Sequence, residues 1–281
     1  AVSNKALRTR WALRALVASA RRREAAPVGF PARGVSAMGL QLPSALGLAA
    51  GFDRRGALAG RAGWLGLGAV EIGSVGAGSR ELAHAIRALR RARAGKQAPG
   101  SHAAQGVSLA KRAATPWPAA ADELAGLLGQ LHGLADYVTL NPGRDRPAPA
   151  AFAELVAHLA AERDRLACGG GRRMPLVAKL PSAWLRGDAV GLAQALAACG
   201  ADGLLLSAEG IGAAEHRQTL RRVAQAVGRR LCLISVGGAS SPAEVRRRLR
   251  AGAAFVQVHA AARRANRRPW LRDAVAALAR R

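Results

Sequence analysis

The chain has 281 residues, of which 50% are hydrophobic, and a formal net charge of +26 at pH 7. This length and apolar content suffice for one domain with a full core. No run approaches the roughly 18 to 20 uncharged apolar residues of a membrane-spanning helix, and no apolar segment followed by a cleavage site predicts secretion. Three widely separated cysteines, Cys168, Cys199 and Cys232, favour a reducing compartment, either cytoplasmic or of mitochondrial type.

The positive charge is concentrated at both ends of the chain. Residues 1–33 contain eight Lys and Arg against the single acid Glu24, and residues 246–281 contain eleven Arg against Asp273. Such patches attract anionic lipid, acidic proteins or phosphate backbones. Three interpretations therefore stay open: an ordinary solvated surface, contact with a membrane surface or acidic protein, and contact with nucleic acid or a ribonucleoprotein.

Residues 4–23 predict a basic amphipathic helix. Its apolar residues gather on one side, with Lys and Arg around the rest: Leu7, Trp11, Leu13, Leu16 and Val17. A helix of this kind lies in a membrane interface, peripheral on the inner membrane for example, or docks on a protein surface. Because Pro27 and Pro31 then interrupt the chain, we predict a helical appendage over 1–33 and a separate domain over 34–281.

From residue 35 onward, short apolar strands alternate with helical stretches, which is typical of βα units with parallel strands. The predicted strands lie near 46–49, 69–73, 105–109, 136–141, 175–180, 202–207, 231–236 and 254–258. The predicted helices lie near 55–64, 79–93, 119–132, 148–166, 188–199, 213–227, 241–250 and 269–280. Eight strands close a barrel, so the predicted fold class is α/β, a (β/α)8 TIM barrel with an N-terminal basic helix.

The strand ends carry recognisable motifs. Residues 35–56 read VSAMGLQLPSALGLAAGFDRRG, and residues 67–75 read LGAVEIGSV. Further along the chain come GVSLAK (106–111), ADYVTLN (135–141), PLVAK (175–179), ADGLLLS (201–207), VGG (236–238) and AGAAFVQV (251–258). Glycines at a strand mouth let the backbone approach a ligand closely, and barrel chemistry sits at the carboxyl ends of the strands.

In this order and at these strand positions, the motifs resemble the class 2, quinone-dependent dihydroorotate dehydrogenases of pyrimidine biosynthesis. The resemblance covers roughly residues 34–280. It implies an FMN at the barrel mouth that takes hydride from dihydroorotate and passes electrons to a membrane quinone. Carried over by position, the implied FMN shell comprises Ala50, Gly51, Arg54, Ser74, Ser108, Asn141, Lys179, Ser207, Gly238, His259 and Ala260.

Two members of this shell also have a chemical rationale, and a third departs from the family residue. The ammonium of Lys179 would stabilise the reduced, anionic flavin ring, although it could instead pair with Glu71 or Asp202. Backbone N–H groups at Gly238 would hold a phosphate before a helix start, although a simple tight turn is the alternative. Arg54 stands where the family has a lysine, and its planar head need not keep the same contacts.

The substrate positions depart from the family pattern. Arg144 replaces the catalytic serine, and a guanidinium accepts no proton at neutral pH. The neighbouring Asp145 is the other candidate base, although its side chain should point differently. The substrate-binding amide and hydroxyl residues are likewise replaced, by Arg146, Ala208 and Glu209.

Two connections are also short, with 33 residues between Ser74 and Ser108 and 30 between Ser207 and Gly238. These lengths leave no room for the family's substrate loop or for its Ser-Gly phosphate loop, and His259 and Ala260 replace a Tyr and a small hydroxyl residue.

Two hypotheses about function follow. One is a divergent FMN oxidoreductase with impaired dihydroorotate oxidation. The other is a catalytically inactive barrel that binds protein, RNA or a membrane through its basic ends. No metal site is predicted.

Overall fold

The structure, a computed structural model, describes residues 4–25, 34–95, 102–259, 262, 274, 275 and 278. It begins with helix α1 (Asn4–Ala25) and an antiparallel hairpin of β1 (Val35–Ala37) and β2 (Leu40–Leu42). Eight parallel strands then form a closed barrel: β3 (Leu46–Asp53), β4 (Ala69–Val75), β5 (Ala104–Leu109), β6 (Tyr137–Leu140), β7 (Leu176–Leu180), β8 (Gly203–Ser207), β9 (Cys232–Val236) and β10 (Phe255–Val258). The predicted barrel and all eight predicted strands are confirmed.

The helices between the strands cover the outside of the barrel. They are α2 (Arg80–Ala94), α3 (Ala120–Leu131), α4 (Pro149–Cys168), the short α5 (Ser182–Leu185), α6 (Ala189–Ala198), α7 (Ala213–Val227) and α8 (Pro242–Arg250). Side-chain caps start several of them: Ser79 accepts a hydrogen bond from Leu82 N (3.1 Å) at α2, and Ser241 accepts one from Glu244 N (3.2 Å) at α8. The predicted helix over 269–280 falls almost entirely outside the described residues.

The helix predicted over 55–64 is wrong. That segment consists of turns followed by a 3-10 helix, Ala62–Leu65. Gly56 and Gly60 adopt positive φ angles of 72° and 70°, which an α-helix does not contain. The buried carboxylate of Asp53 also accepts the N–H groups of Ala57 (2.9 Å) and Leu58 (2.7 Å), so the backbone turns there instead of continuing as a helix.

The β1–β2 hairpin closes the amino-terminal end of the barrel. Ala37, Leu40 and Leu42 are buried in one cluster with residues at the beginnings of the strands, including Ala69, Ala104, Tyr137, Val177, Leu205, Ile234 and Phe255. The hairpin is absent from the elements predicted above. Because the hairpin fills this end, a ligand of the barrel interior approaches from the carboxyl ends of the strands.

Helix α1 packs against the barrel where the predicted helix over 55–64 is absent. Its buried residues Ala12, Leu16 and Ala20, each four positions apart, join the main core beside the 3-10 helix. Leu7 and Trp11, predicted on the same apolar side, are instead 40% and 64% exposed, because the stripe that faces the barrel runs through the two small alanines. In the described part of the chain no helix is long and apolar enough to cross a membrane.

Candidate functional site

The structure brings the predicted site residues to one end of the barrel. Each lies at or just after the carboxyl end of a barrel strand: Ala50, Gly51 and Arg54 at β3, Ser74 at β4, Ser108 at β5, Asn141 at β6, Lys179 at β7, Ser207 at β8, Gly238 at β9 and His259 at β10. Ala260 lies outside the described residues. These positions line the open mouth of the barrel, opposite the end that the hairpin closes.

Three polar side chains form a hydrogen-bonded group at β4, β5 and β6. The hydroxyls of Ser74 and Ser108 are 2.8 Å apart, and Asn141 Nδ2 donates to Ser74 Oγ at 2.9 Å. The backbone N–H of Gly143 donates to Asn141 Oδ1 at 3.2 Å and thereby fixes the orientation of the amide. The group offers both donors and acceptors to a polar, planar ligand.

Lys179 supplies a cation at the end of β7. Its ammonium makes no hydrogen bond or close ion pair with any described residue, although its charge acts on the buried carboxyl group of Glu71. The predicted alternative pairing with Asp202 is wrong. Asp202 lies before β8, at the opposite end of the barrel, and pairs there with Arg163 (2.7 Å) and Arg173 (2.6 Å). Lys179 therefore remains available to a ligand at the mouth.

Glu71 lies inside the barrel and is fully buried. Its Oε2 accepts hydrogen bonds from Gln257 Nε2 (2.8 Å), Thr139 Oγ1 (3.0 Å) and the hydroxyl of Tyr137 (3.3 Å). Burial raises the pKa of Glu71, and these hydrogen bonds together with the positive charge of Lys179 partly oppose that rise. The carboxyl group thus contributes to an internal polar layer that couples electrostatically to Lys179.

The mouth of β3 is open enough for a close backbone approach. Gly51 has a φ of 86°, and a Cβ placed there would meet His259 Nε2 at 3.7 Å. The His259 ring packs edge-on against Phe52, with ring centroids 5.9 Å apart. Arg54 is exposed and makes no hydrogen bond with the described residues.

The loop after β6, which carries the predicted base positions, faces solvent. Arg144 is exposed, and the Asp145 side chain is 87% exposed. Asp145 Oδ2 lies 3.6 Å from Lys111 Nζ, and Trp117 Nε1 donates to the Asp145 carbonyl at 2.7 Å. The loop is therefore tied to the segment after β5. The Asp145 carboxylate is thus exposed and paired with Lys111.

The connections at the mouth are short. Only residues 76–79 join β4 to α2, and only residues 208–212 join β8 to α7. In the second connection Ala208 is buried, Glu209 is exposed, and Ile211 N donates to the Ala208 carbonyl at 3.2 Å. The second connection therefore has no amide or hydroxyl side chain at the predicted substrate positions, Ala208 and Glu209.

Sequence reasoning missed one cluster, which lies under the turn after β9. Arg248 on α8 is completely buried; its Nε pairs with Glu244 Oε1 (3.0 Å), and its Nη1 donates to Ser235 Oγ (3.1 Å) and to the Gly237 carbonyl. His216 Nε2 lies 2.8 Å from the same Ser235 hydroxyl. Burial, followed by the charge of Arg248, lowers the pKa of His216 to about 4.

The only sequence signal for this cluster is the four-residue spacing of Glu244 and Arg248, which puts the two side chains on one face of α8. Four of the five residues over 246–250 are arginines, so the sequence did not reveal which one enters the interior.

Two known proteins with similar sequences carry the same name. The chain is 30% identical over 269 residues to a quinone-dependent dihydroorotate dehydrogenase of Halorhodospira halophila, covering 79% of each chain. It is 29% identical over 284 residues to the protein of the same name in Pseudomonas aeruginosa strain UCBPP-PA14, covering 83% of this chain and 81% of the relative. No protein-family model matches the chain.

Solved structures agree on the fold. Two dihydroorotate dehydrogenase structures from Eimeria tenella superimpose on this chain with TM-scores of 0.73 for the ferulenol complex and 0.74 for the ligand-free form. The superposition on the ferulenol complex covers 95% of this chain and 90% of that chain, at 16% identity. The superposition on the ligand-free form covers 94% of this chain and 92% of that chain, at 18% identity. The similarity to these relatives shows that the chain belongs to the quinone-dependent dihydroorotate dehydrogenase family, and the barrel fold agrees with it.

Proposed function

We propose that this chain is a flavoprotein of the dihydroorotate dehydrogenase type that binds FMN at the barrel mouth and has lost efficient oxidation of dihydroorotate. Family membership supports the flavin part of the proposal. The observation that carries it is Lys179, a half-buried cation at the mouth that makes no hydrogen bond or close ion pair with the described residues. Its position fits a group that stabilises negative charge on the ring of a bound flavin.

The other residues at the mouth fit the same cofactor. The hydrogen-bonded group of Ser74, Ser108 and Asn141 would bind the polar edge of the ring, and Gly51 would allow its close approach. The turn at Gly238 would hold the phosphate through backbone N–H groups. When bound, FMN supplies the hydride-accepting chemistry of the family, and the chain supplies binding, orientation and electrostatics.

The proposed loss of efficient turnover rests on the substrate side of the mouth. Arg144 cannot accept a proton, and the neighbouring Asp145 is exposed and ion-paired with Lys111. Ala208 offers no hydrogen bond, and Glu209 would repel a carboxylate substrate. Only interactions that strengthen in the transition state accelerate a reaction, and these positions supply few of them.

The proposed electron acceptor, should turnover remain, is a membrane quinone. Relatives of the chain are named as quinone-dependent, and α1 exposes Leu7 and Trp11 between basic residues, which suits a peripheral position on an inner membrane. We also propose residues 1–33 as an appendage to a domain over 34–281. Since α1 packs on the barrel, this appendage would be a docked one.

A second candidate function is favoured by the net charge of +26. A barrel without dehydrogenase activity would use its basic surfaces to bind an acidic protein, RNA or a ribonucleoprotein, or a membrane. Fold alone does not distinguish this candidate from the first, because barrels host many functions.

The absorption spectrum of the purified protein, before and after incubation with FMN and desalting, tests the proposal. We expect retained flavin bands and one FMN per folded chain, together with little or no dihydroorotate-dependent reduction of a quinone analogue. A correctly folded protein that retains no flavin would overturn the FMN assignment and favour the second candidate. Rapid dihydroorotate turnover would overturn the proposed loss of activity.

A further inference from the structure

A buried cation lies directly beneath the glycine turn, which we define as Gly237 and Gly238. Arg248 is 0% exposed, and its Nη1 donates to the carbonyl of Gly237. A Cβ built on Gly238 would lie 3.3 Å from Arg248 Nη2, which is a tight contact, and the φ of 66° at Gly238 also favours glycine. The arginine therefore supports the turn from inside and fixes its backbone.

One nitrogen of the Arg248 guanidinium makes no hydrogen bond. Arg248 Nη2 is buried and has no hydrogen-bond partner. An unpaired buried donor on a charged group costs free energy, and burial accordingly lowers the pKa of Arg248. A purely structural arginine would normally have all its N–H groups satisfied, as Arg163 nearly does with Asp164, Asp202 and the Gly200 carbonyl.

The charges around Arg248 do not balance. Glu244 is the only carboxylate within ion-pair distance of Arg248 in the described part of the chain, and it is shared with Arg217 (2.8 Å) and Arg247 (3.8 Å). Three guanidinium groups thus share one carboxylate, and two positive charges stay uncompensated. Because burial and Arg248 keep His216 neutral near pH 7, this histidine adds no further charge to the cluster.

The backbone above this cluster also lacks acceptors. The N–H groups of Gly238 and Ala239 donate no hydrogen bond to the described residues. They precede α8, whose N-terminus adds a partial positive charge. Free N–H groups, a helix N-terminus and a buried unpaired guanidinium all favour a single anion at this turn.

We infer that Arg248 is the residue that makes the barrel mouth select a phosphomonoester: it positions the glycine turn and supplies the charge that a dianionic phosphate neutralises. Arg248 is a positioning residue, since it acts through Gly237 and Gly238. This inference rests on the proposed function insofar as the phosphomonoester is that of FMN. It adds that a phosphate-free flavin, riboflavin, binds much more weakly, and that the difference depends on Arg248.

The test compares FMN and riboflavin on the full chain. Quenching of flavin fluorescence gives both dissociation constants for the wild type, for Arg248→Gln and for Arg250→Gln. We expect Arg248→Gln to weaken FMN binding on the order of tenfold or more while riboflavin binding changes little. Arg250→Gln removes the same charge from an exposed position at the C-terminal end of α8, with no ion pair to Glu244, and should leave both constants unchanged. Equal weakening of FMN and riboflavin in Arg248→Gln, or no weakening of either, would overturn the inference.

Inorganic phosphate separates this inference from the assignment of FMN. Thermal unfolding is followed in phosphate and in chloride at equal ionic strength. We expect phosphate to raise the Tm of the wild type and of Arg250→Gln, and not that of Arg248→Gln. If the wild type binds neither flavin but phosphate still stabilises it through Arg248, the proposed function fails and the phosphate site stands. If phosphate stabilises all three proteins equally, the site assignment fails.

If circular dichroism shows that Arg248→Gln does not fold, Arg248→Lys replaces it in both measurements. Lysine keeps the charge and gives up the planar pair of N–H groups, so it should retain part of the preference for FMN over riboflavin. If Arg248→Lys prefers FMN over riboflavin as strongly as the wild type does, the hydrogen bond from Arg248 to the Gly237 carbonyl is not needed. That result would contradict the positioning role.

Discussion

At the scale of single residues, the barrel mouth is unusually rich in cations. Lys179 faces it from β7, while Arg54, Arg144 and Arg146 lie on the loops around it and are exposed. Such groups attract a phosphorylated or carboxylated ligand, but an arginine removes no proton from one. Binding of an anionic ligand and oxidation of dihydroorotate therefore depend on different residues at this site, and each can be tested on its own.

Restoring the serine tests turnover. We expect Arg144→Ser to give no recovery of dihydroorotate oxidation, because Ala208 and Glu209 still lack the substrate contacts that would position the reactant. Quinone-analogue reduction is measured with FMN in excess, and Arg80→Ser, an exposed change at the start of α2, is the control. Recovery of activity in Arg144→Ser alone would mean that the remaining site is intact.

His216 predicts a pH dependence of stability. Its pKa in the folded state is about 4, below the ordinary value of 6.5, so between these values the unfolded chain binds a proton that the folded chain does not. The free energy of unfolding therefore falls as the pH drops from about 6.5 toward 4, by on the order of 2–3 kcal/mol for this group. Urea unfolding at several pH values measures the effect.

The control for this measurement is a second histidine. His216→Gln should lose this part of the pH dependence, whereas His158→Gln, at an exposed position of α4, should keep it. Taking differences from the wild type removes the contributions of other groups, such as Asp53 and Glu71, whose pKa values burial raises. An identical pH profile in His216→Gln and the wild type would contradict the assignment.

The mouth residues could be predicted because the family resemblance assigns them by position, at or just after the ends of strands, and a parallel barrel gathers strand ends in one place. Lys179, Asn141 and Ser74 are of this kind. Arg248 could not be predicted, since its importance comes from burial on a helix face among other arginines. The pairing of Asp145 with Lys111 also depends on how two loops meet, which their sequences do not specify.

At the scale of elements, two kinds of glycine should respond oppositely to substitution. A Cβ at Gly106 in β5 would lie 2.1 Å from the buried ring of Tyr137, whereas a Cβ at Gly129 in α3 meets nothing within 4 Å. Gly106→Ala should lower the free energy of unfolding by about 1–3 kcal/mol through overpacking. Gly129→Ala should raise it by about 0.5–1 kcal/mol through helix propensity. Urea unfolding measures both, and equal effects would contradict the packing at Gly106.

Helix α1 provides a second prediction at this scale. Leu16 is 7% exposed and packs into the main core, while Leu7 on the same helix is 40% exposed. Leu16→Ala should therefore destabilise the protein by about 2–3 kcal/mol, and Leu7→Ala should change little. Equal unfolding midpoints for the two variants would show that α1 does not pack on the barrel in solution.

The elements also show where sequence reasoning succeeds and fails. The eight barrel strands were predicted to within a few residues, because each is a short apolar run between turn signals. The helix over 55–64 failed because positive φ angles at Gly56 and Gly60, and the side chain of Asp53, override its periodicity. The hairpin was missed since strands of three residues carry too little pattern to detect.

At the scale of the whole molecule, the net charge of +26 should dominate contact with polyanions. We expect retention on immobilised heparin that falls steeply with sodium chloride. Arg21→Gln combined with Arg22→Gln, two exposed positions of α1, should reduce the logarithmic salt slope by about one for each arginine that makes contact. Retention that does not depend on salt would exclude an electrostatic role for these surfaces.

The hairpin that closes the barrel floor has a consequence for biosynthesis. Its residues precede the eight barrel strands in the chain, yet their partners include Ile234 and Phe255 in the last two of those strands. Until those two strands emerge from the ribosome, Leu40 and Leu42 have no complete surface to cover and stay exposed to water. Closing this end of the barrel is thus a late, long-range step in folding, and the nascent barrel should depend on chaperones until its last two strands have been translated.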